Sequence, residues 1–434
     1  MYYFIGIKGT GMSALAAILH DLGYEVKGSD VDRHFFTEKG LNDRGIEILP
    51  YSEDNITKDM TIIRGNSIKD NHPELIRAEV KGLKIYKYEE MVAKLTKMFT
   101  TTTIAGCHGK TTTTAMLHHV LNNMVGSNCL IGDGTGYANK ENKYFVLEAC
   151  EYKRHFLAYH PYYAIITNIE MDHVDYYKDM DDLISAYRDY ANNAEKMVIA
   201  CGDDQYTHSL EINKPIFYYG LDEDNDIIAK NVENTETGMS FDVFVEENYY
   251  GHFDIPFFGK HMLLDSLAVI SICFYERLES KEVAKLLKTF KGARRRFTET
   301  EVLDNIVIDD YAHHPTELRY TIKAAKQKYP NKKLVTIWGP HTYTRTETFK
   351  DDYISVLKEA DKAYIMDIYG AREKAEDYSI RSEDIIKEIK GAEKISEENF
   401  DNLLKHHDSV ILFMSPNDLT NFEQKYIEKY KEAN

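Results

Sequence analysis

Residues 100–112 constrain this chain more than any other stretch. A β-branched run, Thr100-Thr101-Thr102-Thr103-Ile104, leads through Ala105-Gly106-Cys107-His108-Gly109 to Lys110-Thr111-Thr112 and then into a helical pattern over 113–124. β-branched residues favour an extended strand, and the glycines let the backbone turn tightly into the helix. Main-chain N–H groups at such a helix start can surround a phosphate. Lys110 supplies a fixed positive charge there, and the Thr111 hydroxyl suits a magnesium ion. Ordinary loops of this kind carry a glycine where Ile104 stands, so the longer glycine-first pattern is not met. The alternative is a turn that happens to contain lysine; the strand, loop and helix that the phosphate reading requires are all present.

The surrounding pattern is that of parallel α/β structure. Residues 144–149, 163–169 and 197–200 are short runs apolar at nearly every position, the signature of strands buried on both faces. Upstream, apolar runs at 3–7, 25–28 and 61–64 alternate with helical patterns at 12–22 and 89–95. Between 227 and 256 the period changes to strict alternation, which predicts an antiparallel extension, followed by a helix over 262–278. After Arg294-Arg295-Arg296 the α/β pattern resumes, with strands expected at 306–309, 334–338, 363–367 and 410–414. Helices are expected at 316–328, 352–360 and 382–389 and at the carboxyl end. A length of 434 residues at roughly 150 per domain suggests about three domains. We expect three tandem α/β domains over 1–98, 99–296 and 297–434.

Composition narrows the function classes. Five widely spaced cysteines give neither a disulfide framework nor a zinc cluster. A net charge of −18 disfavours a nucleic-acid partner, which would need clustered Lys and Arg to neutralise phosphates. No run approaches the roughly 20 apolar residues of a membrane span, so no membrane association is expected. The amino terminus lacks the pattern of a secretory signal, and the expected location is the cytoplasm.

Other segments carry groups for chemistry. Gly6-Ile7-Lys8-Gly9-Thr10-Gly11 follows the first strand, and Ser29-Asp30 ends the next one, as in a loop that approaches a diphosphate while an acidic residue holds a ribose. A purely structural glycine turn stays open at that position. Glu148 and His173 sit just past strand ends, where ligands of open α/β sheets collect, and either holds a metal or is simply hydrogen-bonded in place. Arg294-Arg295-Arg296 at the domain junction places a guanidinium on a transferring phosphate or forms a solvated basic face. Asp309-Asp310-Tyr311-Ala312-His313-His314-Pro315 and Pro340-His341-Thr342-Tyr343-Thr344-Arg345-Thr346 bring more histidine, tyrosine and arginine to strand ends than helix capping requires.

In this order, these segments, together with Met12-Ser13 and Glu148-Ala149-Cys150-Glu151-Tyr152-Lys153-Arg154-His155-Phe156, resemble the Mur ligases of peptidoglycan synthesis over nearly the whole chain. The resemblance is strongest to the members that join L-alanine to UDP-N-acetylmuramate. It implies a Rossmann-like UDP-binding domain, a central P-loop ATPase-type domain and a Rossmann-like carboxyl-terminal domain on the amino-acid side. It implies ATP and Mg2+ as cofactors and an assembly that is a monomer or homodimer. Gly106, His108, Gly109, Lys110, Thr111, Thr112, His261, Asp265 and Arg296 would hold ATP, with Thr111, Glu148 and His173 on the metal. Lys110, Glu148, His173, Arg296 and His313 would be catalytic. Gly9, Thr10, Gly11, Met12, Ser13, Ser29 and Asp30 would bind the UDP-sugar, and Tyr311, His341 and Arg345 would line the alanine end. The chain departs from that family's pattern at Asp265, where relatives usually carry asparagine, at Thr342, where many carry arginine, and at Ser415-Pro416-Asn417-Asp418, which replaces a glycine-containing loop. Another amino acid or peptide as substrate, a nicotinamide-dependent oxidoreductase, and a silent nucleotide-binding protein are the competing readings.

Overall fold

The computed structural model describes all 434 residues. Three sheets follow one another along the chain, with the breaks between Lys87 and Thr100 and between Ile255 and Thr298. The first is wholly parallel and runs Glu47–Pro50, Val26–Asp30, Tyr2–Ile5, Thr61–Arg64, Lys84–Lys87 from edge to edge. The second has ten strands. Its parallel heart is Ile216–Gly220, Met197–Cys201, Tyr163–Ile166, Thr100–Ala105, Tyr144–Glu148 and Ser127–Leu130, and the antiparallel ribbon Met239–Val245 and Asn248–Ile255 extends it beyond Ile227–Asn234. The third runs Thr298–Val302, Asn305–Asp310, Ser409–Met414, Lys333–Trp338, Lys362–Ile365, Glu393–Lys394, with only its first strand antiparallel.

Alternation of side chains explains why most positions of the central strands are apolar. Ile104, Val146, Ile165 and Ile199 enter one core, while Ala105, Leu147, Ile166 and Val198 enter another on the opposite face. Both faces are covered, so a position is apolar or, like Thr101 and Thr103, carries a hydroxyl with a buried hydrogen-bond partner. Burying each such side chain contributes about 1.5–3 kcal/mol. The second of these cores continues into the first domain through Phe4, Ile18 and Ile63, which packs those two domains as one body. At that seam a Cβ on Gly136 would lie 2.1 Å from the Ala14 carbonyl oxygen, so only glycine permits the approach.

Several elements were not expected. Glu47–Pro50 and Lys84–Lys87 are edge strands with exposed ends, and Thr298–Val302 is a polar edge strand; edges need no continuous apolar run. Ser127–Leu130 is fully buried although two of its four residues are polar, because Ser127 meets His118 at 2.8 Å and the Asn128 side chain accepts from Asn139 N at 2.8 Å. The strand expected over 163–169 stops at Ile166, where Thr167 turns to donate to the His108 carbonyl at 2.6 Å. The helix expected over 382–389 covers only Glu383–Ile386, and Tyr343–Thr348 forms an additional short helix. No helix is long and apolar enough to cross a membrane.

Candidate active site

Three neighbouring strands of the central sheet deliver the site. Thr100–Ala105 lies between Tyr163–Ile166 and Tyr144–Glu148, and the loops after all three emerge on the same edge. The middle loop is the glycine-rich one. Gly106 has φ +140°, and a Cβ there would come within 1.9 Å of Thr167 Oγ1; Gly109 has φ +81° and precedes the helix Lys110–Met124. Asn168 clamps the loop by accepting from His108 N and donating to His108 O, both at 3.0 Å. The loop is thus held in shape by its neighbour before any ligand arrives.

On the other side Glu148 closes the arrangement. Its Oε2 accepts from the Thr111 hydroxyl at 2.9 Å and from Gly132 N at 2.8 Å, and its Oε1 accepts no hydrogen bond. A hydroxyl beside a carboxylate is a hard-oxygen donor pair of the kind magnesium prefers, so Thr111 and Glu148 fit that ion. His173 is not in direct contact with them. It sits at φ +50°, and its Nε2 faces Glu151 Oε1 at 3.3 Å. Glu151 also receives the Lys110 ammonium at 3.1 Å. Burial alone would lower the Lys110 pKa, but the Glu151 carboxylate more than offsets it and holds the group above the ordinary lysine value. Lys110 donates as well to the carbonyls of Gly106 and Cys107.

The three junction arginines separate by role. Arg296 reaches back across the domain boundary, with Nη2 donating to Thr111 Oγ1 at 3.5 Å and its guanidinium 5.0 Å from the Tyr311 ring centre. Arg295 is consumed by Asp309, at 2.9 Å, and by the carbonyls of Ser415 and Asn417 at 2.8 Å, so it anchors the 415–417 loop. Arg294 stacks over Phe36 of the first domain, 4.3 Å from its ring centre.

Facing carboxylates bind the central and carboxyl-terminal domains together. His108 Nε2 lies 2.8 Å from Glu170, and its Nδ1 lies 3.4 Å from Glu317. Burial opposes charge on His108, but its hydrogen bond to Glu170 and the nearby Glu317 carboxylate raise its pKa to about 9. His108, Glu170 and His314 bring ligand atoms within 4.8 Å of one another, a spacing a metal can use. With the His108 proton retained at neutral pH, the group is an ion-paired bridge. His313, expected to be catalytic, faces Glu317 at 3.1 Å in the same network. Arg345 grips Asp172 with Nε at 3.1 Å and Nη2 at 2.8 Å, so its guanidinium holds the two domains together. Burial would raise the Asp172 pKa, but Arg345 holds it well below the usual carboxylate range. Tyr311 is partly exposed beside Arg296, and burial lowers the His341 pKa to about 4.

A cavity of about 1020 Å³ opens from Thr112 and His108 between these domains. His261 stacks on Tyr320 within it, with ring centres 5.0 Å apart. Asp265, 5 % exposed, lies against the glycine-rich loop, and a Cβ on Gly109 would meet its Oδ1 at 2.5 Å. In the first domain the helix Thr10–Asp21 starts at an exposed Gly9, with Thr10 and Gly11 half-buried. Met12 and Ser13 are buried, so a ligand there meets their main chain. Asp30 accepts from Lys8 N at 2.7 Å and from Val31 N at 2.8 Å. Ser29 is fully buried and its hydroxyl donates to Glu74 at 2.5 Å, so a ligand at that strand end would meet its main chain. Glu151, Asp172, Glu170, Glu317 and Asn168 had drawn no role from the sequence. The only available signal was their place within a few residues of Glu148, His173 and His313.

Comparison with known proteins finds likeness along nearly the whole chain. Residues 1–100 match the Mur ligase family catalytic domain, residues 104–273 the Mur ligase middle domain, and residues 295–418 the glutamate ligase domain of Mur ligases. A UDP-N-acetylmuramate–L-alanine ligase of Lacticaseibacillus paracasei is 46 % identical over 98 % of this chain and 97 % of its own length. The enzyme of the same description from Lacticaseibacillus casei is 45 % identical over the same shares. Among solved structures, a UDP-N-acetylmuramate-alanine ligase from Thermotoga maritima superposes with a TM-score of 0.83 at 24 % identity, covering 100 % of this chain and 99 % of that one. A murein peptide ligase from Psychrobacter arcticus shares the fold with a TM-score of 0.73 at 22 % identity, covering 99 % of this chain and 98 % of that one. With all three domain models matched in sequence and relatives this similar over nearly their full length, the chain belongs to the Mur ligase family.

Proposed function

We propose that the chain is an ATP-dependent ligase that joins L-alanine to the lactyl carboxylate of UDP-N-acetylmuramate, a step in making peptidoglycan precursors. The observation that carries the chemistry is the convergence of Lys110, Thr111 and Glu148 at the phosphate loop with Arg296 arriving from the next domain. The full-length likeness to two UDP-N-acetylmuramate–L-alanine ligases supports the choice of substrates.

In this reading the lactyl carboxylate attacks the γ-phosphorus of ATP, ADP leaves, and the carboxyl becomes an acyl phosphate. The alanine amine then attacks the acyl carbon, and inorganic phosphate departs with one former carboxylate oxygen. Catalysis of phosphoryl transfer rests on positioning and charge stabilisation. Lys110 and the loop N–H groups hold the phosphates, and Arg296 adds positive charge as the domains meet. Thr111 and Glu148 would hold Mg2+, which when bound neutralises phosphate charge. His173 would join them after a rearrangement or through water. The cavity with His261, Asp265 and Tyr320 accommodates the base of ATP, and the 6–13 loop with Asp30 the UDP portion. The Arg345–Asp172 and His108–Glu317 pairs hold the two domains together over the reacting region and keep it closed to water, which an acyl phosphate requires. Transfer of 18O from labelled UDP-N-acetylmuramate carboxylate into the released phosphate tests this route; unlabelled phosphate alongside amide product would exclude an acyl phosphate.

A further inference from the structure

Glu151 occupies a position out of proportion to its neglect in the sequence. Its side chain is 1 % exposed, three residues beyond Glu148, where the chain turns after the strand Tyr144–Glu148. One oxygen, Oε1, lies 3.1 Å from Lys110 Nζ and 3.3 Å from His173 Nε2, while Oε2 is buried without a partner. Its main-chain carbonyl accepts from the Tyr177 hydroxyl at 2.5 Å, which fixes the backbone beneath the carboxylate. A carboxylate buried this deeply is unfavourable unless it is paired. The pairing joins three strand ends: Glu151 follows Tyr144–Glu148, Lys110 starts the helix after the central strand Thr100–Ala105, and His173 lies in the loop after Tyr163–Ile166 on the other side.

Two consequences follow from that geometry. The Lys110 ammonium is held at the mouth of the loop in place of sweeping through the several rotamers a free lysine explores. His173 has its Nε2 engaged, which leaves Nδ1 as the ring nitrogen open to a cation; a carboxylate behind an imidazole in this way orients the ring and raises its basicity toward a metal. We propose that Glu151 is a positioning residue that sets Lys110 and His173 together, so that the ammonium meets the phosphates and His173 Nδ1 meets the divalent cation. The proposal rests on the ligase reading given above.

The test uses the full chain with Glu151→Gln and Glu151→Asp. Affinity for Mn2+ is read by electron paramagnetic resonance of the free ion without turnover, alongside kcat and the KM of each substrate and the thermal midpoint. Loss of a carboxylate behind a metal-binding histidine lowers metal affinity about 10- to 100-fold. The expected result for Glu151→Gln is a loss of that size in Mn2+ affinity, a kcat reduced at least about tenfold and an unchanged KM for UDP-N-acetylmuramate, in protein that is still folded at the assay temperature although its midpoint is lowered by the stranded Lys110 charge. Glu151→Asp, which keeps the charge on a shorter arm, should recover part of both the affinity and kcat. Folded Glu151→Gln with Mn2+ affinity and kcat within twofold of wild type overturns the proposal. So does a fall in every parameter in proportion to a fall in folded fraction. Should Glu151→Gln fail to fold, Glu151→Asp decides alone: intermediate Mn2+ affinity at unchanged midpoint supports positioning, and wild-type affinity overturns it. Wild-type protein that binds Mn2+ but forms no amide would refute the ligase reading separately, with the Mn2+ comparison still standing.

Discussion

Asp265→Asn should stabilise the protein at pH 8 far more than at pH 5. Asp265 is 5 % exposed on the helix Lys260–Tyr275, and its Oδ2 has no hydrogen-bond partner. Burial raises its pKa from 3.8 to about 7, against the opposing pull of the Thr113 hydroxyl and the Arg296 charge. Because the folded-state pKa lies above the unfolded one, the folded protein holds this proton more tightly. Stability therefore falls as pH rises from about 4 to about 7 and then levels off. At about 1.4 kcal/mol per pH unit the full effect is at most about 4 kcal/mol at pH 8, and about a third of that at pH 5. Asparagine has nearly the same shape and no charge, so it removes the dependence. For a unit of about 200 residues, each kcal/mol moves the midpoint by roughly 2–4 °C. Differential scanning calorimetry should thus show a gain on the order of 5–15 °C at pH 8 and about a third as much at pH 5. An equal shift at both pH values would refute the argument, since a packing difference between the two side chains has no reason to titrate.

Other substitutions test other links. Lys110→Ala should abolish ligation, and it should also destabilise by about 3–5 kcal/mol because it leaves the Glu151 charge buried with only His173 beside it; adding Glu151→Gln should restore the unfolding midpoint in denaturant but not turnover. Arg345→Ala strands Asp172, 5 % exposed, and should loosen the contact between the central and carboxyl-terminal domains, seen as a larger radius of gyration in X-ray scattering. Since Arg345 holds the Asp172 pKa below the usual range, the stabilisation from that pair is present above about pH 4 and lost on further acidification, so the wild-type scattering radius should rise only there. Gly106→Ala should cost several kcal/mol of stability and the ATP site together, because its Cβ would sit 1.9 Å from Thr167 Oγ1 at φ +140°; normal ATP affinity in that variant would contradict the loop geometry.

How much of this was legible in the sequence depended on the range of the interaction concerned. The glycine loop at 106–109 was legible because its constraints are local: strand, turn and helix follow one another within a dozen residues. Strands such as Tyr163–Ile166 were legible because both faces are buried, which forces an apolar run. Thr298–Val302 was not, because an edge strand tolerates Thr-Glu-Thr-Glu with one side in solvent. The ionic partners were beyond reach for a different reason. Lys110 meets Glu151 across 41 residues and Arg345 meets Asp172 across 173, and which carboxylate faces which cation is decided only when the loops and domains are assembled. Ser29 shows the converse: its position at a strand end suggested ligand contact, but alternation turns its side chain inward to Glu74. Lys110, expected to face phosphates alone, supports a buried carboxylate as well, because the loop that carries Glu151 folds against it.

Phosphate release from ATP by the purified chain with Mg2+ and UDP-N-acetylmuramate, measured with L-alanine and with each other amino acid in turn, tests the ligase most directly. The expected result is release matched one to one by an amide product with L-alanine, and little with the others. Release that depends on a different amino acid would contradict the proposed substrate, and no release with any of them would contradict the ligase itself.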